Sequence, residues 1–318
     1  MKETWIWIAA DRQYRGYERL RVKIMKISEL LQRIDYTVLQ GDLSEEITGI
    51  CHDNRMLQKG DAFICISGAR FDTHTMAKEL AKKAALLVVE KPVELEDGCK
   101  TAVVQVASTR DIVAALAAAF YGYPSEKVVC IGITGSKGKT TCTHMMADIL
   151  RAAGYLTGTI GTNGAIMPAG CDHAVWGSDK YSCAHCNETP GYDCYELNNT
   201  TPDPMELQMY LAMMVKAGCT HVVLEVSSQG MKQKRVATVD FAYAVWTNIE
   251  TGDHIGPNEH KDFEEYLCCK AMLLNQSRRA YVNCDDRHLD AFMKYVTLSD
   301  GSDGRTKQVF YYGEGEKA

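Results

Sequence analysis

The segment Val128-Val-Cys-Ile-Gly-Ile-Thr-Gly-Ser-Lys-Gly-Lys-Thr-Thr141 decides the fold class of this 318-residue chain. An uninterrupted apolar run leads into a glycine-rich turn, and a helical pattern that begins at Lys139 leads out of it. A loop of this kind directs backbone N–H groups at phosphate oxygens, and the following helix adds the positive end of its dipole. The segment therefore predicts a strand, a phosphate-binding loop and a helix within a parallel α/β sheet.

The loop departs at one position from the strict phosphate-loop pattern, because Ile133 stands where that pattern has glycine. We expect Lys139 to reach the β- and γ-phosphates of a nucleotide and the Thr140 hydroxyl to bind Mg²⁺. The alternative is a glycine-rich turn with an incidental lysine, but the strand before it and the helix after it favour nucleotide binding. The predicted ATP-binding residues of the loop are Gly135, Ser136, Lys137, Gly138, Lys139, Thr140 and Thr141.

Polar side chains also follow two later strands, predicted at residues 221–226 and 241–248. Glu225 lies near the end of the first, while Asn248 and His254 follow the second. In open α/β sheets, ligands bind at the edge formed by the carboxyl ends of the strands. Asn248 is therefore a further ATP-binding candidate and Glu225 a candidate Mg²⁺ ligand. The alternative for Glu225 is a surface position, but its apolar neighbours favour burial, which is costly for an unpaired carboxylate.

Composition and charge exclude several functional classes. With 35 Lys and Arg against 41 Asp and Glu, the net charge is −6, so the chain lacks the positive field of a general nucleic-acid binder. No apolar run reaches the ~18–20 residues of a membrane span. The 13 cysteines are mostly scattered among apolar residues, and no secretory signal precedes them. We therefore expect a cytoplasmic protein that contacts neither nucleic acid nor a membrane.

The order of elements predicts two α/β domains, the second built on a phosphate-loop-type parallel sheet. Breaker residues near position 122 divide a first domain, 25–122, from a second domain, 123–318. Residues 1–24 are either an upstream extension or an ordinary N-terminal helix, and Ser28 is expected to cap the next helix. Further helices are predicted at 75–85, 110–121, 139–153, 205–217, 263–275 and 287–295, and strands at 62–66, 86–89, 102–106, 128–133, 221–226, 241–248, 280–283 and 308–312.

Several motifs occur together in one order along the chain. Asn199-Thr-Thr-Pro202, Glu225-Val-Ser-Ser228, Thr247-Asn248 with Asp253-His254, and Lys270 follow the phosphate loop. The set resembles the Mur ligases, the ATP-dependent amide ligases of peptidoglycan precursor synthesis. The resemblance runs from about Met25 to the end of the chain, and it fits best the branch that adds the third amino acid. Taken alone, His254 would be a loop histidine, and Lys270 a lysine whose stem covers apolar surface.

The resemblance implies a reaction with ATP and Mg²⁺. The γ-carboxylate of D-Glu in UDP-MurNAc-L-Ala-D-Glu would attack the γ-phosphate of ATP, and a diamino acid, L-Lys or meso-diaminopimelate, would then attack the acyl phosphate. The implied catalytic residues are Lys139, Glu225, His254 and Lys270. The implied metal-site residues are Thr140, Glu225, His254 and Lys270, the last of them carbamylated. A monomer is expected.

The resemblance also implies which residues hold the UDP-MurNAc-peptide. The first domain resembles a uridine-binding domain through Cys51-His-Asp-Asn-Arg55 and Ser67-Gly-Ala-Arg-Phe-Asp72, with Asn54 in place of the usual serine. The implied substrate-binding residues are Asn54, Arg55, Arg70, Asn199, Thr200, Thr201, Ser227, Gln233 and Arg235.

Four departures from the family pattern stand out. Gln229 replaces the usual histidine, and His254-Ile-Gly-Pro257 replaces the commoner loop sequence. An insertion within 165–198 contains Cys183-Ala-His-Cys186, so it is either a structural zinc site or an exposed loop with spare thiols. The family's C-terminal amino-acid-binding domain is not matched, so we expect a truncated chain that binds substrates with little ligase activity.

Three other functions remain open from the sequence. A folylpolyglutamate-synthetase-like ligase shares the loop and the lysine, but the first domain with its Asp-Asn-Arg segment argues against it. A binding-only relative would hold a nucleotide-sugar without chemistry, and the retained Lys139, Glu225, His254 and Lys270 argue against it. A nucleotide-hydrolysing switch would form ADP without any nucleotide-sugar.

Overall fold

The computed structural model describes residues 24–68, 71–169, 190–252, 254–257, 259–297 and 308–314. The chain divides after Tyr123 into two compact units, and the predicted domain boundary lies next to this division. Residues 1–23, which make up nearly all of the predicted extension, lie outside the described residues. Within the described part, no helix is long and apolar enough to cross a bilayer.

The first unit is built around a five-stranded sheet. Its strands lie in the order β2-β7-β6-β5-β4, all parallel except β2, which is antiparallel to β7. A separate pair, β1 and β3, is antiparallel. The elements are β1 (Met25–Lys26), α1 (Ile27–Leu30), β2 (Thr37–Gln40), β3 (Glu46–Ile47), β4 (Gly49–Cys51), β5 (Asp61–Ile64), α2 (Ala77–Ala81), β6 (Leu86–Val89), β7 (Ala102–Gln105) and α3 (Thr109–Phe120).

Local sequence explains most of these elements. Every residue of β5 and β6 is buried, as their apolar runs predict for inner strands of a parallel sheet. Helix α3 begins after Ser108, whose hydroxyl accepts from the Asp111 backbone N–H at 3.3 Å. The predicted helix 75–85 is wrong in extent, since a 3₁₀ turn occupies Thr73–Met76 and α2 ends at Ala81.

The predicted cap at Ser28 is wrong. Helix α1 already begins at Ile27, and the residue before it, Lys26, makes no side-chain cap. The chain is extended up to that point because Met25 and Lys26 pair with β3. Ile27 and Leu30 are fully buried, so packing rather than capping places this single turn.

The second unit is built around an eight-stranded sheet. Its strands lie in the order β11-β10-β9-β12-β8-β13-β14-β15. The adjacent pairs β9–β12, β12–β8, β8–β13, β13–β14 and β14–β15 are parallel. β10 is antiparallel to both β9 and β11, so one edge of the sheet is antiparallel. The elements are β8 (Val129–Thr134), α4 (Lys139–Ala152), β9 (Thr157–Gly161), β10 (Gly164–Pro168), β11 (Tyr192–Tyr195), α5 (Pro204–Lys216), β12 (His221–Glu225), α6 (Ser228–Lys232), β13 (Phe241–Trp246), α7 (Phe263–Gln276), β14 (Arg279–Asn283), α8 (Leu289–Met293) and β15 (Gln308–Tyr312).

The register of three central strands positions the site. β8 lies between β12 and β13, with Glu225 opposite Ile133 and Trp246 opposite Thr134. The loop that follows β8 therefore lies beside the last residue of β12 and beside Thr247, which follows β13. Open α/β sheets bind their ligands at this edge, and the sequence predicts the site at the same edge.

The ends of the cysteine-rich insertion form strands rather than a loop. β10 and β11 pair from Ala165 opposite Tyr195 to Pro168 opposite Tyr192. The alternative of a simple exposed loop for 165–198 is therefore wrong at both ends. Its Cys183 and Cys186 lie among residues 170–189, outside the described residues, so zinc binding stays a prediction. The predicted helix 287–295 is also shorter, since α8 spans only Leu289–Met293.

We expect Gly132→Ala to destabilise the second unit. A Cβ at this position in β8 would lie 2.8 Å from Leu273 Cδ1 and 2.9 Å from Phe241 Cε1, and both side chains are fully buried. Overpacking of this kind costs about 1–3 kcal/mol of unfolding free energy. Denaturant unfolding checks the value.

The matched control is Gly256→Ala, because a Cβ there meets nothing within 4 Å. Equal unfolding free energies for the two variants would contradict the packing of α7 and β13 against β8.

Candidate nucleotide and acceptor site

Glycine shapes the loop between β8 and α4 at two positions. Gly135 has φ +155°, and a Cβ there would overlap the Thr247 hydroxyl. Gly138 has φ +81° and immediately precedes α4, so it turns the chain into the helix. The helix N-terminus follows directly from the glycine-rich turn, as the sequence predicts.

Asn248 braces the loop from the neighbouring strand. Its carbonyl oxygen accepts from the Ser136 N–H, and its Oδ1 accepts from the Lys137 N–H, both at 2.9 Å. Its Nδ2 donates to the Lys137 carbonyl at 3.1 Å, and the Thr247 hydroxyl donates to that same carbonyl at 2.7 Å. The residue predicted to bind ATP therefore fixes the loop's backbone.

Two lysines converge on one carbonyl oxygen of the loop. Lys139 Nζ donates to Gly135 O at 2.8 Å and to Ser136 O at 3.1 Å. Lys270 Nζ donates to Gly135 O at 2.7 Å and lies 4.6 Å from the centre of the Tyr266 ring. Lys270 is only 1% exposed. Two ammonium groups that share a neutral acceptor leave a net positive charge, which suits an anionic phosphate.

Glu225 carries a buried negative charge beside the loop. It is 1% exposed, and a Cβ at Gly161 would overlap its carboxylate. Oε2 accepts from the Thr140 hydroxyl at 2.9 Å and from the Thr162 hydroxyl at 3.2 Å, and Oε1 accepts from the Thr162 N–H at 3.0 Å. These donors are neutral, so they solvate the carboxylate without cancelling its charge. A hard cation that takes oxygen ligands fits such a group.

The acceptor-substrate candidates adjoin Glu225. The Thr201 hydroxyl donates to the Glu225 carbonyl at 3.0 Å and accepts from the Ser227 N–H at 2.9 Å. Arg235 donates from Nη1 to the Thr201 carbonyl at 2.6 Å and from Nη2 to Gln233 Oε1 at 2.7 Å. Burial lowers the pKa of Arg235, which the charges of neighbouring acids partly offset. Asn199 and Thr200 precede this cluster in the chain, with Asn199 exposed.

His254 does not join Glu225 in the structure. Its φ is +59°, its side chain is 49% exposed, and its Nδ1 lies 3.3 Å from Glu259 Oε1. Among the described residues, no three His, Cys, Asp or Glu side chains are grouped closely enough to hold a metal ion by themselves. The metal role of His254 therefore stays a prediction.

His260, which holds the loop that carries His254, could not be identified as a site residue from the sequence. Its ring is fully buried, with Nε2 2.9 Å from the Ser228 hydroxyl and Nδ1 3.5 Å from Glu265 Oε2. Burial, followed by the Lys232 charge, lowers the pKa of His260. Its backbone N–H donates to the His254 carbonyl at 3.0 Å. Thr162, at the turn after β9, was also missed, because its contacts come from distant parts of the chain.

The uridine-site candidates lie in the first unit. Asp53 caps the 3₁₀ turn Asn54–Met56 and pairs with Arg55 Nη2 at 2.6 Å, although the Arg55 side chain is 71% exposed. The hydrogen bond from Arg55 lowers the pKa of Asp53. Asn54 is exposed. Arg70 lies outside the described residues.

Comparisons with known proteins settle the family. A family model described as the Mur ligase middle domain matches residues 133–317, which is more than half of the chain. The chain belongs to the Mur ligase family. A second model, the Mur ligase family catalytic domain, matches residues 46–121. The resemblance and the predicted α/β fold class are confirmed.

Named Mur ligase relatives match most of this chain. The UDP-N-acetylmuramoyl-L-alanyl-D-glutamate–2,6-diaminopimelate ligase of Bacillus cereus is 35% identical over 281 residues, covering 85% of this chain and 51% of the relative. The protein of that name from Clostridium perfringens is 32% identical over 263 residues, covering 82% and 49%. The chain therefore spans about half the length of these relatives.

Solved Mur ligase structures share the fold. A ligase structure with the same diaminopimelate-ligase name superposes with a TM-score of 0.66 at 22% identity, covering 93% of this chain and 54% of the other. MurF from Acinetobacter baumannii gives a TM-score of 0.58 at 20% identity, covering 92% and 54%. At these identities the likeness concerns the fold alone.

We expect Asn248→Ala to loosen the phosphate loop at one amide in particular. The Lys137 N–H loses its Oδ1 acceptor, whereas the Ser136 N–H keeps its backbone acceptor. Loss of one hydrogen bond should speed exchange of the Lys137 amide about five- to tenfold. Hydrogen exchange followed by NMR resolves the two amides.

Asn275→Ala is the control, since that side chain binds Tyr295 O and the Thr297 N–H instead. An unchanged Lys137 exchange rate in Asn248→Ala would show that Asn248 does not brace the loop.

Proposed function

We propose that this chain supplies the substrate-binding and ATP-binding parts of an ATP-dependent ligase of peptidoglycan precursor synthesis. The reaction adds a third amino acid to UDP-MurNAc-L-Ala-D-Glu. The names of the relatives support this substrate and favour diaminopimelate over L-lysine as the amino acid added. We expect a cytoplasmic monomer.

One observation carries the proposal: Lys139, Lys270, Thr140 and Glu225 converge around the loop that follows β8. The reaction must bring a substrate carboxylate and the γ-phosphate of ATP together, although both are anions. Lys139 places positive charge at the loop, and the N-terminus of α4 adds its dipole. This arrangement favours attack of the carboxylate on the γ-phosphate, which yields an acyl phosphate and ADP. The amine of the incoming amino acid then attacks the acyl carbon, and inorganic phosphate leaves.

Thr140 and Glu225 would hold Mg²⁺. The fit rests on Glu225, which is buried and whose hydrogen-bond donors within the described part of the chain, Thr140 and Thr162, are neutral. When bound, the ion neutralises phosphate charge. Thr140 is the second residue of α4, close to the loop. Its hydroxyl is therefore placed to orient both the Glu225 carboxylate and a phosphate. His254 is assigned to the metal site by resemblance alone.

Arg235 and its neighbours would recognise the peptide end of the acceptor. Arg235 lies against Thr201, and Thr201 binds the Glu225 carbonyl, so the guanidinium is tied to the residue that would hold the metal. A guanidinium suits a carboxylate of the substrate. Asn199, Thr200, Ser227 and Gln233 would complete the acceptor site. Asn54, Arg55 and Arg70 of the first unit would contact uridine.

Lys270 is proposed to be carbamylated. Its burial at the loop excludes most water, and a carbamate would convert a cation beside the metal residues into an anion. In ¹³C NMR after equilibration with ¹³C-bicarbonate, we expect one carbamate signal in the unmodified chain and none in Lys270→Arg.

Lys139→Arg is the control variant and should retain the signal. Absence of the signal in the unmodified chain, or its persistence in Lys270→Arg, would remove Lys270 as the carbamate site.

Calorimetric titration tests the substrate assignment. We expect micromolar binding of UDP-MurNAc-L-Ala-D-Glu and clearly weaker binding of UDP-MurNAc-L-Ala, because only the first carries D-Glu, whose carboxylates Arg235 would bind. Equal affinity would mean that the peptide end is not read by this chain. Binding of neither ligand would refute the proposed substrate class.

Turnover separates the remaining alternatives. In a full-length version of the protein, ADP formation that requires the nucleotide-sugar supports a ligase. ADP formation without it supports a nucleotide-hydrolysing switch, and binding with no ADP supports a binding-only relative.

A further inference from the structure

We propose that Thr162 is a positioning residue that couples the nucleotide half of the site to the acceptor half. The inference rests on the proposed function, because it assigns Glu225 to the metal and Thr200 to the acceptor. Thr162 forms the turn between β9 and β10 and contacts both residues. It therefore links a residue assigned to the metal with a residue assigned to the acceptor.

Three contacts place Thr162. Its backbone N–H donates to Glu225 Oε1 at 3.0 Å, and its hydroxyl lies 3.2 Å from Glu225 Oε2. The same hydroxyl lies 3.1 Å from the Thr200 hydroxyl. Oε2 is also the atom that accepts from Thr140, at 2.9 Å. One carboxylate oxygen thus joins the phosphate-loop helix to Thr162, and Thr162 joins it to Thr200.

The hydrogen bonds that run from Glu225 through Thr162 to Thr200 have a direction, because each hydroxyl can donate only once. A hydroxyl has one proton, so Thr162 donates either to Glu225 or to Thr200 at any moment. While Thr162 donates to Oε2, the Thr200 proton is directed at the Thr162 oxygen. When Oε2 takes a cation instead, Thr162 is released to donate to Thr200, and the Thr200 proton becomes available to an acceptor ligand. Metal binding at Glu225 would therefore allow the Thr200 hydroxyl to donate its hydrogen bond to the acceptor substrate.

The backbone holds Thr162 at this place. A Cβ at Gly161 would overlap the Glu225 carboxylate, so only glycine allows β9 to pass so close. Gly164 has φ +103° on the other side of the turn. The intervening Asn163 is held by its side chain to His144 Nε2 at 3.1 Å and by its carbonyl to Cys194 Sγ at 3.2 Å. The Thr162 side chain is nevertheless exposed, so it can be changed without disturbing a core.

The chain offers a matched control on the same strand. Thr159 is 1% exposed, and its hydroxyl has no hydrogen-bond partner among the residues that the structure describes. Thr159→Val and Thr162→Val make the same chemical change, but only the second removes a hydroxyl that contacts site residues. Thr162→Ser keeps the hydroxyl and serves as the rescue variant.

The experiment measures coupling between two ligands. The affinity for UDP-MurNAc-L-Ala-D-Glu is determined by calorimetry with and without saturating Mg²⁺ and the non-hydrolysable ATP analogue AMP-PNP. We expect the unmodified chain to bind the acceptor about three- to tenfold more tightly with the nucleotide present, the range that one hydrogen bond supplies. Thr162→Val should reduce this ratio to about one, while Thr162→Ser and Thr159→Val should keep it.

The outcomes separate this inference from the proposed function. If the unmodified chain binds both ligands without coupling, or if Thr162→Val keeps the ratio, the inference is overturned and the proposed function stands. Loss of the ratio in Thr159→Val as well would assign the effect to packing and overturn the inference. If the unmodified chain binds neither ligand, the proposed function and the inference both fail.

Discussion

The buried carboxylate of Glu225 is the constraint on which the rest of the site depends. Glu225 is the last residue of β12, it lies opposite Ile133 of β8, and it is buried. An ionised group in such a place must be hydrogen-bonded, and its charge must find a cation, or the fold loses stability. Thr140 and Thr162 supply the hydrogen bonds from two different connections. The need to satisfy one acid thereby fixes both the phosphate loop and the turn after β9.

The sheet fixes the positions of Glu225, the loop after β8 and Asn248 relative to one another. β12, β8 and β13 are adjacent and parallel, so their carboxyl ends deliver a carboxylate, a loop and a bracing amide to one edge. Because strand register is fixed by the hydrogen-bond ladder, Asn248 reaches the Lys137 backbone without a long or flexible connection. Lys270 enters from α7, which packs over β8 and β13, and so joins the same point from above the sheet.

Much of this could be predicted from the sequence, and the failures have physical causes. The central strands β8 and β12 are nearly continuous buried apolar runs, and the loop after β8 has the glycine and lysine spacing of a phosphate loop, so both could be predicted. Ser28 is a good capping residue, but pairing of Met25–Lys26 with β3 overrides that local preference. The strands at the ends of 165–198 depend on pairing with each other, which a single sequence does not reveal. His260 and Thr162 look like ordinary polar loop residues, and only tertiary contacts distinguish them. His254 could be predicted as a site residue by resemblance, yet its side chain is directed toward Glu259.

The shared carbonyl of Gly135 has a consequence for how nucleotide affinity is built. Lys139 and Lys270 both donate to it, so the protein's own backbone serves as a surrogate ligand for the two ammonium groups. A phosphate oxygen that binds either ammonium group must displace the Gly135 carbonyl oxygen. The net binding free energy is therefore the difference between the lysine–phosphate and lysine–carbonyl interactions, rather than the full strength of an ion pair. The Gly135 carbonyl therefore holds both ammonium groups at the loop when no phosphate is bound.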